Sequence, residues 1–309
     1  MQWWRVVGAI GRFMIRAGVV VLLFVAYQLW GTGLSTARAQ DRLDSSFADR
    51  LSEVAPTTVP GGSSPGTAAE PTEIPVPELG DPIGRLQLPT IDSDHIVVQG
   101  VDLSLLRDGP GHFPQTVMPG QPGNAAIAGH RTTYGAPFNR LDELQPGDPV
   151  TVTTLQGTFD YVVDAHTDAS GRARGYVVVG PNDVGILEPV EGSRLTLMAC
   201  HPKYSAAQRI VVTATLRSSP APPTPVPHYV EAVTTDASID PLAGGDPDAW
   251  APAILWSLLT VLVWFGVWYA ARRWSRIPTW AAYVAGTPTV LLLLFTTFIN
   301  VARLLPASY

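Results

Sequence analysis

Three long apolar runs, one near the start of the chain and two near its end, constrain this sequence more than any other feature. The first lies within AGVVVLLFVAYQLWGTGL, from Ala17 to Leu34, and follows Arg5, Arg12 and Arg16. The others are PAILWSLLTVLVWFGVWYAA (252–271) and WAAYVAGTPTVLLLLFTTFINVA (280–302). RRWSRIPT joins them, with Arg272, Arg273 and Arg276. Each run is long enough to cross a hydrocarbon layer of about 30 Å as a helix. Neither C-terminal run has a polar face, which disfavours a water-soluble hairpin. The arginines place the N-terminus and the 272–276 loop in the cytoplasm, so residues 35 to about 250 are expected outside. Trp250, Trp274 and Trp280 sit where interfacial aromatics belong. A rival reading takes Ala37-Arg38-Ala39 as a signal-peptidase site after a charged and then an apolar region. Under either reading the middle of the chain is exported, and the expected location is the cell membrane, multi-pass, with the middle domain extracellular.

Composition divides the rest. Residues 36–80 (PTTVPGGSSPGTAAEPTEIPVPELG in part) and 218–250 (SSPAPPTPVPH in part) are rich in Pro, Gly, Ser and Thr without hydrophobic period. They read as an extended stalk and a linker. The expected organisation is therefore 1–35 anchor or signal, 36–80 stalk, 81–217 folded domain, 218–250 linker and 251–309 two membrane helices. The net charge of −6 includes no basic patch in the middle, which excludes nucleic acid as a partner.

Within 81–217, eight short β-branched runs are bounded by turn residues: 83–89, 95–100, 124–129, 148–155, 157–166, 175–180, 194–200 and 208–216. They favour a mainly β fold, an antiparallel barrel or sandwich, over a βαβ fold. Short helical segments are expected at 104–109 and 136–144.

Cys200, the only cysteine, closes the strand RLTLMAC. One Cys cannot form an internal disulfide, so in an exported domain it is a buried apolar residue, an intermolecular bridge or a nucleophile. It lacks the partners a metal site needs. A nucleophilic thiol requires a charge that favours thiolate and a proton donor for the leaving group. His201 is adjacent on a strand and so points to the opposite face. His95 and His112 read most simply as surface residues, and His166 ends an edge-like strand. His130 closes NAAIAG and opens the loop HRTTYGAPF, the kind of position where catalytic groups sit. Arg209 begins the next strand, either as a solvated strand-end residue or as an oxyanion donor.

TLMAC at a strand end, CHPKYSAAQR leading into IVV, and NAAIAGHRTTYGAPF upstream together resemble the sortases, most of all class E. The resemblance covers nearly all of 81–217, including GHFPQTVMPGQPGN. It implies an eight-stranded sortase-like β-barrel and a cysteine transpeptidase that needs no cofactor. Cys200 would be the nucleophile, His130 the general acid and base, and Arg209 the oxyanion stabiliser. The implied partners are secreted proteins bearing an LAXTG/LPXTG-like sorting signal, a peptidoglycan precursor (lipid II) amine and the membrane. Sortases usually show TLxTC, and Ala199 replaces that Thr. Class E relatives often have Tyr where this chain has Phe113, a position linked to reading the signal. Phe113, Tyr134 and Ala199 are thus the candidate substrate-binding residues. An L,D-transpeptidase-type cysteine enzyme would require a different context before Cys200. A catalytically silent peptide-binding barrel is the competing non-enzyme expectation.

Overall fold

The computed structural model describes residues 3–54, 75–168, 170–225, 245–273 and 279–305. They form two compact units. The first unit contains helix α1 (Trp3–Ala26), a π-helical turn (Tyr27–Gly31), and the helices α4 (Trp250–Arg273) and α5 (Thr279–Leu304) near the chain end. All three helices are long and apolar enough to cross a membrane. Lipid gives apolar helices no hydrophobic reason to pair, so packing and polar contacts must hold them. The Thr260 and Thr297 hydroxyls meet at 2.9 Å between α4 and α5, and Gly286 lets the α5 backbone approach Val267. Phe24 of α1 meets Phe298 of α5 edge-on at 5.2 Å. Arg303, at the end of α5, pairs with Asp246, just before α4, at 2.6 Å.

The second unit is the β domain. Eight strands close into a ring: β1 (Pro82–Leu88), β2 (Ser93–Gln99), β3 (Gly111–His112), β4 (Gly123–Ala128), β5 (Pro149–Thr154), β6 (Gly157–Val163), β10 (Ser193–His201) and β11 (Gln208–Leu216). Their order is β10-β4-β3-β2-β1-β5-β6-β11, and β11 pairs back to β10. Closure removes the free edges that an open sheet would expose. A further strand, β9 (Val177–Val179), adds to β11 outside the ring, and β7 (His166–Thr167) with β8 (Ala173–Arg174) forms a separate ribbon. The expected eight-stranded barrel is present, with two differences. Its eighth member is the two-residue β3, too short for any pattern to announce, while the expected strand at 175–180 is β9. The ring is also not wholly antiparallel, because β2–β3 and β4–β10 run parallel.

Alternation along the strands divides the domain into two cores. Leu195, Leu197 and Ala199 of β10 meet Ala125, Ile127, Ile210, Val212 and Val152 inside the barrel. Met198 and Cys200 face the other way. They pack with Ala126, Ala128, Val211, Phe113 and Leu106, the last from the single-turn helix α3 (Leu103–Leu106).

The expected stalk departs most from the structure. Its first part, with the residues just before it, is helix α2 (Thr32–Val54), which lies along β1 and β2. Phe47 is buried, Arg50 pairs with Asp81 at 2.7 Å, and Asp44 pairs with Arg85. Ala37-Arg38-Ala39 lies inside this helix, with Ala39 buried. The Pro-rich part at 55–74 lies outside the described residues, as do 226–244 and the 274–278 loop with Arg276 and Trp274. Residues 218–225, expected as linker, return to the barrel, where Ala221 donates its N–H to the Gly120 carbonyl at 2.8 Å.

Candidate active site

Three neighbouring strands place the candidate residues. β4 and β10 run parallel, with Ala128 opposite Met198, and the ladder continues one step as Gly129 N–H donates to the Met198 carbonyl at 3.0 Å. His130 and Cys200 each lie two residues beyond that paired position, so they are level and on the same face. That face is the one carrying Ala126, Ala128 and Met198. Gly129 lets the Phe138 ring close on the end of β4, since a Cβ there would stand 2.7 Å from that ring. On the other side of β10, Arg209 is directly opposite Cys200 in the antiparallel ladder, which puts the two side chains on one face as close cross-strand neighbours.

All three residues are nearly inaccessible: Cys200 is 2 % exposed, His130 1 % and Arg209 1 %. The Arg209 guanidinium is held in place, its Nη1 donating to the carbonyls of Ala206 (2.9 Å) and Gln208 (2.8 Å). A fixed cation on the same face as the thiol can stabilise an oxyanion that develops there.

Of the candidate substrate-binding residues, two share this face. Phe113 is buried in the same small core as Cys200. Tyr134 is half-buried, with its ring 4.9 Å from the His130 ring and the Arg107 guanidinium 5.8 Å from its centroid. It is in the left-handed region at φ 52°, uncommon for a non-glycine residue. Ala199 is a correction. Neighbours on a strand alternate, so it points into the barrel, fully buried, away from the Cys200 face. His112 corrects its surface assignment in the same way. It is buried, with Nδ1 at 2.8 Å from Gln99 Oε1 and Nε2 at 2.9 Å from the Val117 carbonyl. Burial pushes its pKa down to about 4.

Sequence reasoning passed over Arg131. Its side chain is 2 % exposed, and it pairs with Asp142 at 2.8 Å. Nη1 reaches the Cys200 carbonyl at 3.3 Å and His201 Nδ1 at 3.0 Å, while Nε donates to the Asn139 carbonyl at 3.3 Å. One guanidinium therefore ties the end of β10 to the loop that follows His130. Burial and the Arg131 charge both lower the His201 pKa, and alternation along β10 turns His201 away from the Cys200 face. The only available signal was a charged residue directly after His130.

Residues 86–217 match the model of the sortase domain. The chain is 30 % identical to Sortase SrtE1 of Streptomyces coelicolor over 219 residues, covering 66 % of this chain and 55 % of that protein, so it spans about half the length of this relative. It is also 30 % identical to Sortase SrtE2 of the same organism over 216 residues, covering 67 % of this chain and 81 % of that protein. Among solved structures, sortase E1 from Streptomyces coelicolor with a tripeptide in the active site aligns at 26 % identity and a TM-score of 0.40, over 46 % of this chain and 91 % of that one. With a sortase domain model matched over residues 86–217 and Sortase SrtE2 matched along 81 % of its length at 30 % identity, the chain belongs to the sortase family and is similar to its class E members.

Proposed function

We propose that the chain is a membrane-anchored transpeptidase that joins secreted proteins to a cell-wall amine. The observation carrying this reading is the strand register that brings Cys200, His130 and Arg209 onto one face. In the resting pair Cys200 is thiolate and His130 imidazolium. Sγ attacks the carbonyl carbon of Thr in an LAXTG/LPXTG-like signal, and the oxyanion is stabilised by hydrogen bonds from Arg209. The Thr–Gly bond breaks as His130 gives its proton to the departing glycine nitrogen, leaving a thioester on Cys200. An amine of a peptidoglycan precursor such as lipid II then attacks the thioester. His130 takes the proton of that amine, and Cys200 leaves as thiolate, so the ion pair is restored. Phe113 and Tyr134 border the peptide, with Phe113 offering a ring without a hydroxyl to the second residue of the signal. The apolar helices hold the chain in the membrane with the barrel outside.

The test uses the full chain in detergent micelles with LAXTG or LPXTG peptides and a small amine. Intact mass should show a thioacyl adduct and then an amine-exchanged peptide, both absent in Cys200→Ala. A folded wild-type protein with a titratable thiol and no adduct would favour a silent peptide-binding barrel.

A further inference from the structure

On one face of helix α2, Thr32, Thr36 and Gln40 follow one another at i, i+4 spacing. Thr32 and Thr36 are 1 % and 2 % exposed. Each of the three reaches a segment of the barrel domain. The Tyr134 N–H donates to Thr32 Oγ1 at 3.3 Å, and a Cβ on Gly135 would stand 3.3 Å from Thr36 Cγ2. Thr36 Oγ1 donates to the Arg107 carbonyl at 2.7 Å. Gln40 makes three bonds: Nε2 to the carbonyls of Ile96 (3.0 Å) and Asp108 (2.8 Å), and Oε1 from the Ile96 N–H at 2.7 Å. The two loops so held meet at the candidate site, where the Arg107 guanidinium lies against the Tyr134 ring and that ring lies against His130.

We propose that α2 is a working part of the active site, a strut whose polar stripe sets the 104–109 and 132–137 loops and so holds Tyr134 against the His130 imidazole. Thr32, Thr36 and Gln40 are positioning residues that act through Tyr134 and touch neither substrate nor thiol. Such a stripe has a stated physical reason. An apolar face would hold a helix to a barrel by area alone, whereas hydroxyls and a carboxamide bonded to loop backbone fix particular carbonyls and an N–H in place. Tyr134 is where such fixing matters, because its left-handed backbone persists only when its surroundings impose it. The proposal rests on the reading of His130 as the proton-transfer group.

The experiment uses the full chain in micelles with four variants: Thr32→Val/Thr36→Val, Gln40→Ala, Tyr134→Ala and, as a control, Arg50→Gln, whose pair with Asp81 ties α2 to neither the 104–109 nor the 132–137 loop. Two readouts are taken, the rate of Cys200 alkylation against pH and the kcat and KM of peptide transfer. The double Thr variant should melt within a few degrees of wild type. It should lose roughly tenfold or more in kcat with KM little changed, the kind of loss expected from a small misplacement. Its alkylation profile should shift in the same direction as that of Tyr134→Ala, with Arg50→Gln unaffected. Equal kcat and an unshifted profile in the folded double variant would overturn the proposal. A shifted profile in a protein that transfers no peptide would uphold the strut while removing the transpeptidase reading.

Discussion

Arg131 bonds to the Cys200 carbonyl, and its burial makes it a sharp test of what supports the candidate site. Its guanidinium is nearly inaccessible while its partner Asp142 is partly exposed. Removing one partner from such a pair leaves the buried charge uncompensated, at a cost of about 3 kcal/mol. Asp142→Asn should therefore lower the denaturation midpoint of the barrel, and Arg131→Met, which removes the charge but fills most of the buried volume, should cost less than Arg131→Ala. Chemical denaturation followed by tryptophan fluorescence checks the order. Arg209→Lys keeps the charge and loses the fork, so acylation should slow roughly a hundredfold with the thiol still present, read by the rate of adduct formation. His112 supplies a pH dependence. Burial lowers its pKa to about 4, while the unfolded chain has the ordinary value near 6.5. Below that value the unfolded state takes up the proton first. Stability is thus complete above pH 6.5 and falls as pH approaches 4, by up to about 3 kcal/mol. His112→Gln should flatten that slope between pH 6.5 and 4.5.

Among the elements, α2 shows most clearly where sequence and structure part. Helices are found in sequence by an apolar stripe, and this one docks its first turns through Thr32, Thr36 and Gln40, with Phe47 as its large apolar anchor. The residues after it are Pro-rich, so composition averaged over the whole segment reads as stalk. β3 escaped for a different reason, since a strand of two residues carries no period. The strands β4, β10 and β11 were legible because their β-branched runs end in turn residues, and Cys200, His130 and Arg209 were chosen as candidates because each stands within two residues of a strand end, in motifs that resemble those of the sortases. Ala199 was misjudged because proximity in sequence stood in for facing the site. Phe47→Ala should release α2 locally, so that amides of residues 40–50 lose hydrogen-exchange protection while those of β10 keep theirs. Equal protection loss across the barrel would mean that helix and barrel unfold as one.

For the molecule as a whole, one helix long and apolar enough to cross a membrane precedes the barrel in the chain and two follow it, and the arginine distribution is the basis of the orientation proposed above. In a Cys200→Ala background, Ser63→Cys should react with an impermeant maleimide on intact cells and Arg273→Cys only after the cells are opened. The reverse pattern would invert the proposed topology. The parallel pairing of β4 with β10 carries a consequence for how such a chain can vary over evolutionary time. Thiol and imidazole are far apart in sequence, yet their separation is metered by a backbone ladder and not by the chain that joins them. The loops that join β5, β6 and β10 can lengthen or shorten without moving one of these two positions relative to the other, provided the ladder keeps step. A slip of one residue would be the forbidden change, because it would exchange Cys200 with Ala199 and seal the sulfur inside the barrel.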